Sequence, residues 1–268
     1  MLISKLGRDR SNADFAPWLA PHPPELQLDD GLDDIGAPLA PSAKYWLGTD
    51  TLGRDLLSRL IYGSRATLLV GVVANGIAVL IGTLIGVTAG YLRGWAGGVL
   101  MRFTDLMTAF PALLLAILLA AIFHPSLWIV AIVISLVNWV QVARVVYTET
   151  ISLAEREFIT AEKSLGAGTG RILFRHVLPH LVPTIIVFGT LGIATTSLAE
   201  ATLSFLGIGV QPPTPSWGNM VNENQTYFET APWLVFFPGS CIALLALSFN
   251  LLGDALRDIL DPTLRGRH

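Results

Sequence analysis

One acidic side chain, Glu200, lies well inside a long apolar stretch of this 268-residue chain, with Ser197 and Ser204 one helical turn to either side. An ionisable group at such depth is costly and should face a bundle interior or a cavity. Two roles suit it: lining or gating a passage, or hydrogen-bonding to Ser197, Ser204 or another helix. The histidines at 22, 124, 176, 180 and 268 are scattered, and only His176 and His180 share a helical spacing. Both read as interfacial rather than as metal ligands. The single cysteine, Cys241, sits in an apolar run, so neither a disulfide framework nor a cysteine metal site can be built from it. No G-x-x-x-x-G-K-[ST], H-E-x-x-H or G-x-S-x-G occurs, and the glycines at 166, 168 and 170 lack the lysine and preceding strand of a phosphate loop. Catalytic residues and metal ligands are therefore expected to be absent.

The elements that position these residues are set by composition. The chain is 52% hydrophobic and 14% charged with mean hydropathy +0.59, against roughly 25% charged for a soluble domain. Net charge −3 supplies no basic field for nucleic acid. Uncharged runs of 27 residues (66–92), 38 residues (106–143) and 24 residues (176–199 and 230–253) match the ~20 needed to cross hydrocarbon. The longest run is broken at His124-Pro125-Ser126. Five spans are predicted: about 67–91, 104–123, 127–147, 181–206 and 232–253. A soluble bundle would need polar helix faces, which these segments lack.

Nine Lys/Arg lie in 92–103, 148–180 and the tail after 253, and none in 124–126 or 207–231. Positive residues favour the cytoplasm, so 148–180 and the C-terminus are expected inside. Residues 1–65 are then expected outside, although nothing in them is apolar enough for a span or signal peptide. Pro17 to Pro41 reads as extended and partly disordered. Leu56, Leu57, Leu60 and Ile61, interleaved with Arg54, Arg59 and Arg65, read as a short amphipathic helix on the membrane surface before the first span. The transmembrane domain would then cover 66–268.

Ala74, Ala78, Gly82, Gly86 and Gly90 recur every fourth residue in the first span, a smooth stripe for close helix packing. Pro111, Pro183 and Pro238 fall near span ends, where proline kinks helices. In 148–180, Phe158, Ala161 and Leu165 share one face of a short helix flanked by Glu157, Glu162 and Lys163. Gly166 should cap it in a left-handed turn. Arg171 to Leu178 should form a second amphipathic piece closed by Pro179. A short helix with a small apolar face, offered by two membrane helices, is shaped for a partner's groove.

The stretch Phe158-Ile-Thr-Ala-Glu-Lys-Ser-Leu-Gly166, followed by Arg171-Ile-Leu-Phe-Arg-His-Val-Leu-Pro179, resembles the "EAA" loop of binding-protein-dependent ABC importers. Ala161, Gly166, Leu178 and Pro179 match that pattern in register; Thr160, Glu162 and His176 depart from it. Leu47-Gly-Thr-Asp-Thr-Leu-Gly-Arg-Asp-Leu-Leu-Ser-Arg59, Leu198 to Gly218, and Phe249 to Asp258 with Asp261-Pro262 resemble the C-type subunit of the dipeptide/oligopeptide (and nickel) subfamily. Phe15 to Pro21 resembles that subfamily's exit from an additional first helix, so either a truncated start or a five-span variant is expected.

The resemblance implies an all-α type I ABC importer transmembrane domain in a bacterial cytoplasmic membrane. It implies a permease subunit that translocates peptides and hydrolyses nothing. Its implied partners are a second, B-type permease, two ATPases that bind ATP and Mg, and an extracytoplasmic binding protein. The chain itself would carry no cofactor. Glu157, Phe158, Ala161, Glu162, Leu165, Gly166 and Ala167 would seat in an ATPase, while Glu200, Ser197 and Ser204 would serve the pathway or gate. A nickel or other small-solute importer of the same family is the alternative. An ion-coupled secondary transporter would show internal repeats, and none is found between the halves. An intramembrane enzyme would need paired groups at one depth, where the spans supply a single Glu.

Overall fold

A computed structural model describes residues 16–123 and 126–260. The turn at His124-Pro125, the tail from Asp261 with Arg265 and Arg267, and residues 1–15 lie outside the described residues. The described chain is helical: α1 (Ala16–Leu19), α2 (Leu56–Leu92), α3 (Gly94–Ala109), α4 (Ala112–Ile122), α5 (Leu127–Ala154), α6 (Glu157–Ser164), α7 (Thr169–Ile172), α8 (Leu178–Phe205), α9 (Trp217–Asn224) and α10 (Trp233–Leu260). A π-helical turn, Leu173–Val177, joins α7 to α8, so the chain stays helical from Thr169 to Phe205. Four helical stretches are long and apolar enough to cross a membrane, and the bent pair α3–α4 is a fifth crossing if counted as one.

The bundle is built on α2 against α5. The predicted small-residue stripe is the reason. A Cβ added at Gly82 would lie 2.6 Å from the Trp139 carbonyl oxygen, and one at Gly86 2.6 Å from that of Ala143. Hydrogen at these positions lets two backbones touch, and dispersion then replaces a hydrophobic force that lipid cannot supply. Helix α8 packs across both, fixed by Asn75, whose amide donates to the Gly189 carbonyl over 2.6 Å. Helix α10 packs on α8 and leaves most of its apolar surface uncovered.

Four expectations need correction. The amphipathic helix before the first span is not separate: α2 runs unbroken from Leu56, with Asp55 as N-cap accepting from Ser58 N. Its Leu56 and Leu60 are buried against Trp217, Met220 and Leu234, not laid on lipid. The span 104–123 is bent by 86° at Phe110-Pro111, where proline removes a helical donor and forces Phe110 into extended backbone. Pro179 does not end a helix, because the π turn before it absorbs the mismatch. The helix of the predicted span 127–147 continues to Ala154, so the segment 148–180 begins helical.

The Pro-rich stretch before α2 is also not disordered where described. Asp33 closes a turn by accepting from the backbone N–H of Ile35 and Ala37. Lys44 pairs with Asp30, and the Tyr45 hydroxyl donates to the same carboxylate over 2.8 Å.

Candidate functional site

At one end of the bundle α6 projects between α5 and α7. Its eight residues turn Ile159 inward, fully buried with Ile172, Val177 and Leu181. Phe158, Ala161 and Leu165, predicted to share a face, are all exposed, Leu165 by 84%. Gly166 ends the helix at φ +80°, donating to the Lys163 carbonyl, while Ala167 N donates to that of Glu162. These two bonds form a Schellman cap, which needs the left-handed residue at Gly166. Ala167 then packs on the apolar cluster beneath α6. Glu157 is exposed at the first turn, where its charge favours the helix N-terminus.

Side-chain contacts hold α6 on its supports. The Phe158 ring stacks on His180 at 5.4 Å between centroids. Glu162 Oε1 lies 3.5 Å from His176 Nε2. The Lys163 ammonium sits 5.0 Å over the Tyr91 ring of α2. Sequence reasoning missed Arg93, which has φ +51° between α2 and α3 and donates to the Ile151 carbonyl and to Glu155, both at 3.0 Å. It fixes the end of α5 just before α6 begins. Its only sequence signal was the neighbouring Gly94.

At the opposite end the segment before α2 is pinned to α9 by a buried ionic cluster. Arg59, 2% exposed, donates to Asp50 over 2.6 Å and to Glu223 over 3.0 Å. Arg54 donates to Asp50 over 2.6 Å and approaches Glu223 at 3.5 Å, and Asn219 donates to Glu223. Arg54 and Arg59 thus serve a buried ionic cluster and not an interfacial helix.

Glu200 is fully buried near the end of α8 and accepts from the Ser204 hydroxyl over 2.7 Å. The same hydroxyl accepts from Val210 N, which locks the loop leading to α9. Ser197 is buried against Gly71 of α2. These three residues are thus brought together at a helix crossing.

The sequence pattern of the family described as "Binding-protein-dependent transport system inner membrane component" matches residues 82–266. The chain is 46% identical over 225 residues to the dipeptide transport system permease protein DppC of Alkalihalophilus pseudofirmus, covering 84% of this chain and 74% of that one. It is 44% identical over 252 residues to the di/tripeptide transport system permease protein DppC of Pseudomonas aeruginosa (94% and 83% covered). It is 41% identical over 252 residues to the glutathione transport system permease protein GsiD of Pectobacterium atrosepticum (94% and 82%). A solved structure of the MetNI methionine ABC transporter in an inward-facing conformation superposes with TM-score 0.62 at 15% identity, covering 77% of this chain and 98% of that one. That likeness establishes the fold.

Proposed function

Since the chain belongs to the family of binding-protein-dependent transport system inner membrane components, we propose that it is the permease subunit of an ABC importer for short peptides. It is a multi-pass membrane protein that works with other ABC components. In this reading a second permease completes the pathway, two ATP-binding subunits hold ATP and Mg and perform the hydrolysis, and an extracytoplasmic binding protein delivers substrate. The end carrying α6 and the C-terminus faces the cytoplasm, as the Lys/Arg asymmetry favours. The names of relatives at 41–46% identity specify dipeptides, di/tripeptides and glutathione, which favours peptides over nickel.

The observation that carries the reading is α6 itself. Its outer surface leaves Ala161 and Leu165 uncovered among polar side chains, while Ile159 on its inner side is buried against the ends of two long helices. A push on α6 by closing ATPases would pass through Phe158–His180 to α8 and through Glu155–Arg93 to α5 and α2. Long helices respond as rigid bodies, so the displacement reaches the far end as a rocking motion. There the Glu200–Ser204 lock and the Arg59–Glu223 cluster would make α2, α8 and α9 move together as the outer gate.

The test is Gly166→Asp in the reconstituted transporter. Apart from the chain neighbours of Gly166, no heavy atom of the described residues lies within 4 Å of a Cβ at 166, so the new side chain projects into open space, while φ +80° strains any L residue there and loosens the cap of α6 as well. The variant should insert and assemble but lose uptake. Uptake equal to wild type would remove α6 from the coupling path.

A further inference from the structure

Beside the coupling end, helices α5, α8 and α10 leave an open groove of about 840 Å³, whose walls include Glu149, His180, Thr184, Phe188, Leu191 and Arg257. Sites for small ligands fall in the range of roughly 300–1,000 Å³. The groove is mostly apolar, yet it carries both signs of charge. Glu149 on α5 is held in place by Thr184, whose hydroxyl lies 2.9 Å from each carboxylate oxygen and donates to one. Arg257 on α10 makes no ion pair among the described residues. His180 of α8, which also lines the groove, is the ring that stacks on Phe158 of α6.

A fixed anion on α5, an exposed cation on α10 with no ion pair among the described residues, and the apolar lining of Phe188 and Leu191 in one groove suit a zwitterion with an apolar body. We propose that this groove is a peptide-binding site of the inner pathway. The peptide's terminal ammonium sits at Glu149, its terminal carboxylate at Arg257, and its side chains lie on Phe188 and Leu191. Charge-assisted bonds at both ends specify free termini and tolerate any small side chains. The site also explains how occupancy could be sensed, because ligand in contact with His180 is one ring away from α6. This inference rests on the reading of the chain as a peptide permease.

The experiment uses the whole transporter in nanodiscs, without its binding protein, and measures equilibrium binding of radiolabelled trialanine, N-acetyl-trialanine and trialanine amide. Wild type should bind trialanine saturably and both blocked peptides more weakly. Arg257→Gln should weaken trialanine by roughly tenfold, the loss of about one charge-assisted contact, and abolish the preference over the amide. Glu149→Gln should abolish the preference over the N-acetyl form, and Arg257→Lys should restore most of the trialanine affinity. Unchanged trialanine affinity in both Gln variants overturns the proposal. So does native mass spectrometry showing that Arg257→Gln releases a bound phospholipid or the second permease instead. A wild-type transporter that, given its binding protein, imports no peptide in proteoliposomes overturns the peptide reading itself.

Discussion

Glu162 and His176, which depart from the family's loop pattern at two separate positions, lie 3.5 Å apart and tie α6 to the turn that begins the next long helix. Next to them, Phe158 stacks on His180. The Glu162–His176 contact, an ion pair only when the imidazole is protonated, is partly exposed at both partners and contributes about 0–1 kcal/mol, whereas the ring stack is worth about 0.5–1.5 kcal/mol beyond its buried area. Phe158→Ala should therefore lower peptide uptake per ATP hydrolysed more than Glu162→Ala does. Parallel uptake and ATPase assays on one preparation decide the order, and the reverse order contradicts it.

Close contact between α2 and α5 depends on hydrogen at Gly86. A Cβ there meets the Ala143 carbonyl at 2.6 Å and Val146 Cβ at 2.8 Å, with backbone that cannot yield. Gly86→Leu should destabilise the bundle by about 1–3 kcal/mol or more, lowering the thermal midpoint of the purified complex. Gly76→Ala, on the same helix with nothing within 4 Å, should leave the midpoint unchanged.

That stripe was legible because small residues recur at the period of a helix face, and the α6 cap was legible because Gly166 alone suits φ +80°. The outer cluster was not. Arg59 and Glu223 are 164 residues apart, and no local spacing announces such a pairing. Arg54 and Arg59 interleaved with leucines give the same pattern whether the leucines meet lipid or Trp217 and Met220. The break at Pro111 was visible as a proline but not as an 86° bend, since the angle depends on what α3 and α4 pack against.

Removing Arg59 leaves the buried Asp50 carboxylate with Arg54 as its one cationic partner beside the backbone N–H groups of Leu52 and Arg54. Leaving a buried charge wholly uncompensated costs about 3–5 kcal/mol, and the surviving Arg54 contact reduces that cost here. Arg59→Met should expose residues 20–55 to proteolysis in the folded complex, and adding Asp50→Asn should recover part of the protection. Equal protease resistance in wild type and Arg59→Met would contradict the clamp.

Lys44 holds the Asp30 carboxyl below its ordinary value of 3.8, with the Tyr45 hydroxyl adding to the effect, while Asp30 raises Lys44 above 10.5. A lowered carboxyl contributes stability above 3.8 that is lost as pH falls through its folded value. A raised ammonium contributes below 10.5 and loses it as pH rises through its own. The pair therefore holds across the whole neutral range. Hydrogen exchange in residues 29–45 should be faster in Lys44→Met than in wild type at pH 6, and the difference should vanish below the carboxylate range. A difference that persists there would show that the lysine acts through packing.

If α6 couples transport to hydrolysis as proposed, its exposed face seats in an ATP-binding subunit. Leu165, 84% exposed at the tip of that face, can be replaced by a benzophenone-bearing amino acid in the assembled transporter. Illumination should produce a covalent adduct with the ATP-binding subunit, in a yield that changes between ATP and ADP. Adducts with lipid alone, or none in a complex that still imports, would contradict it.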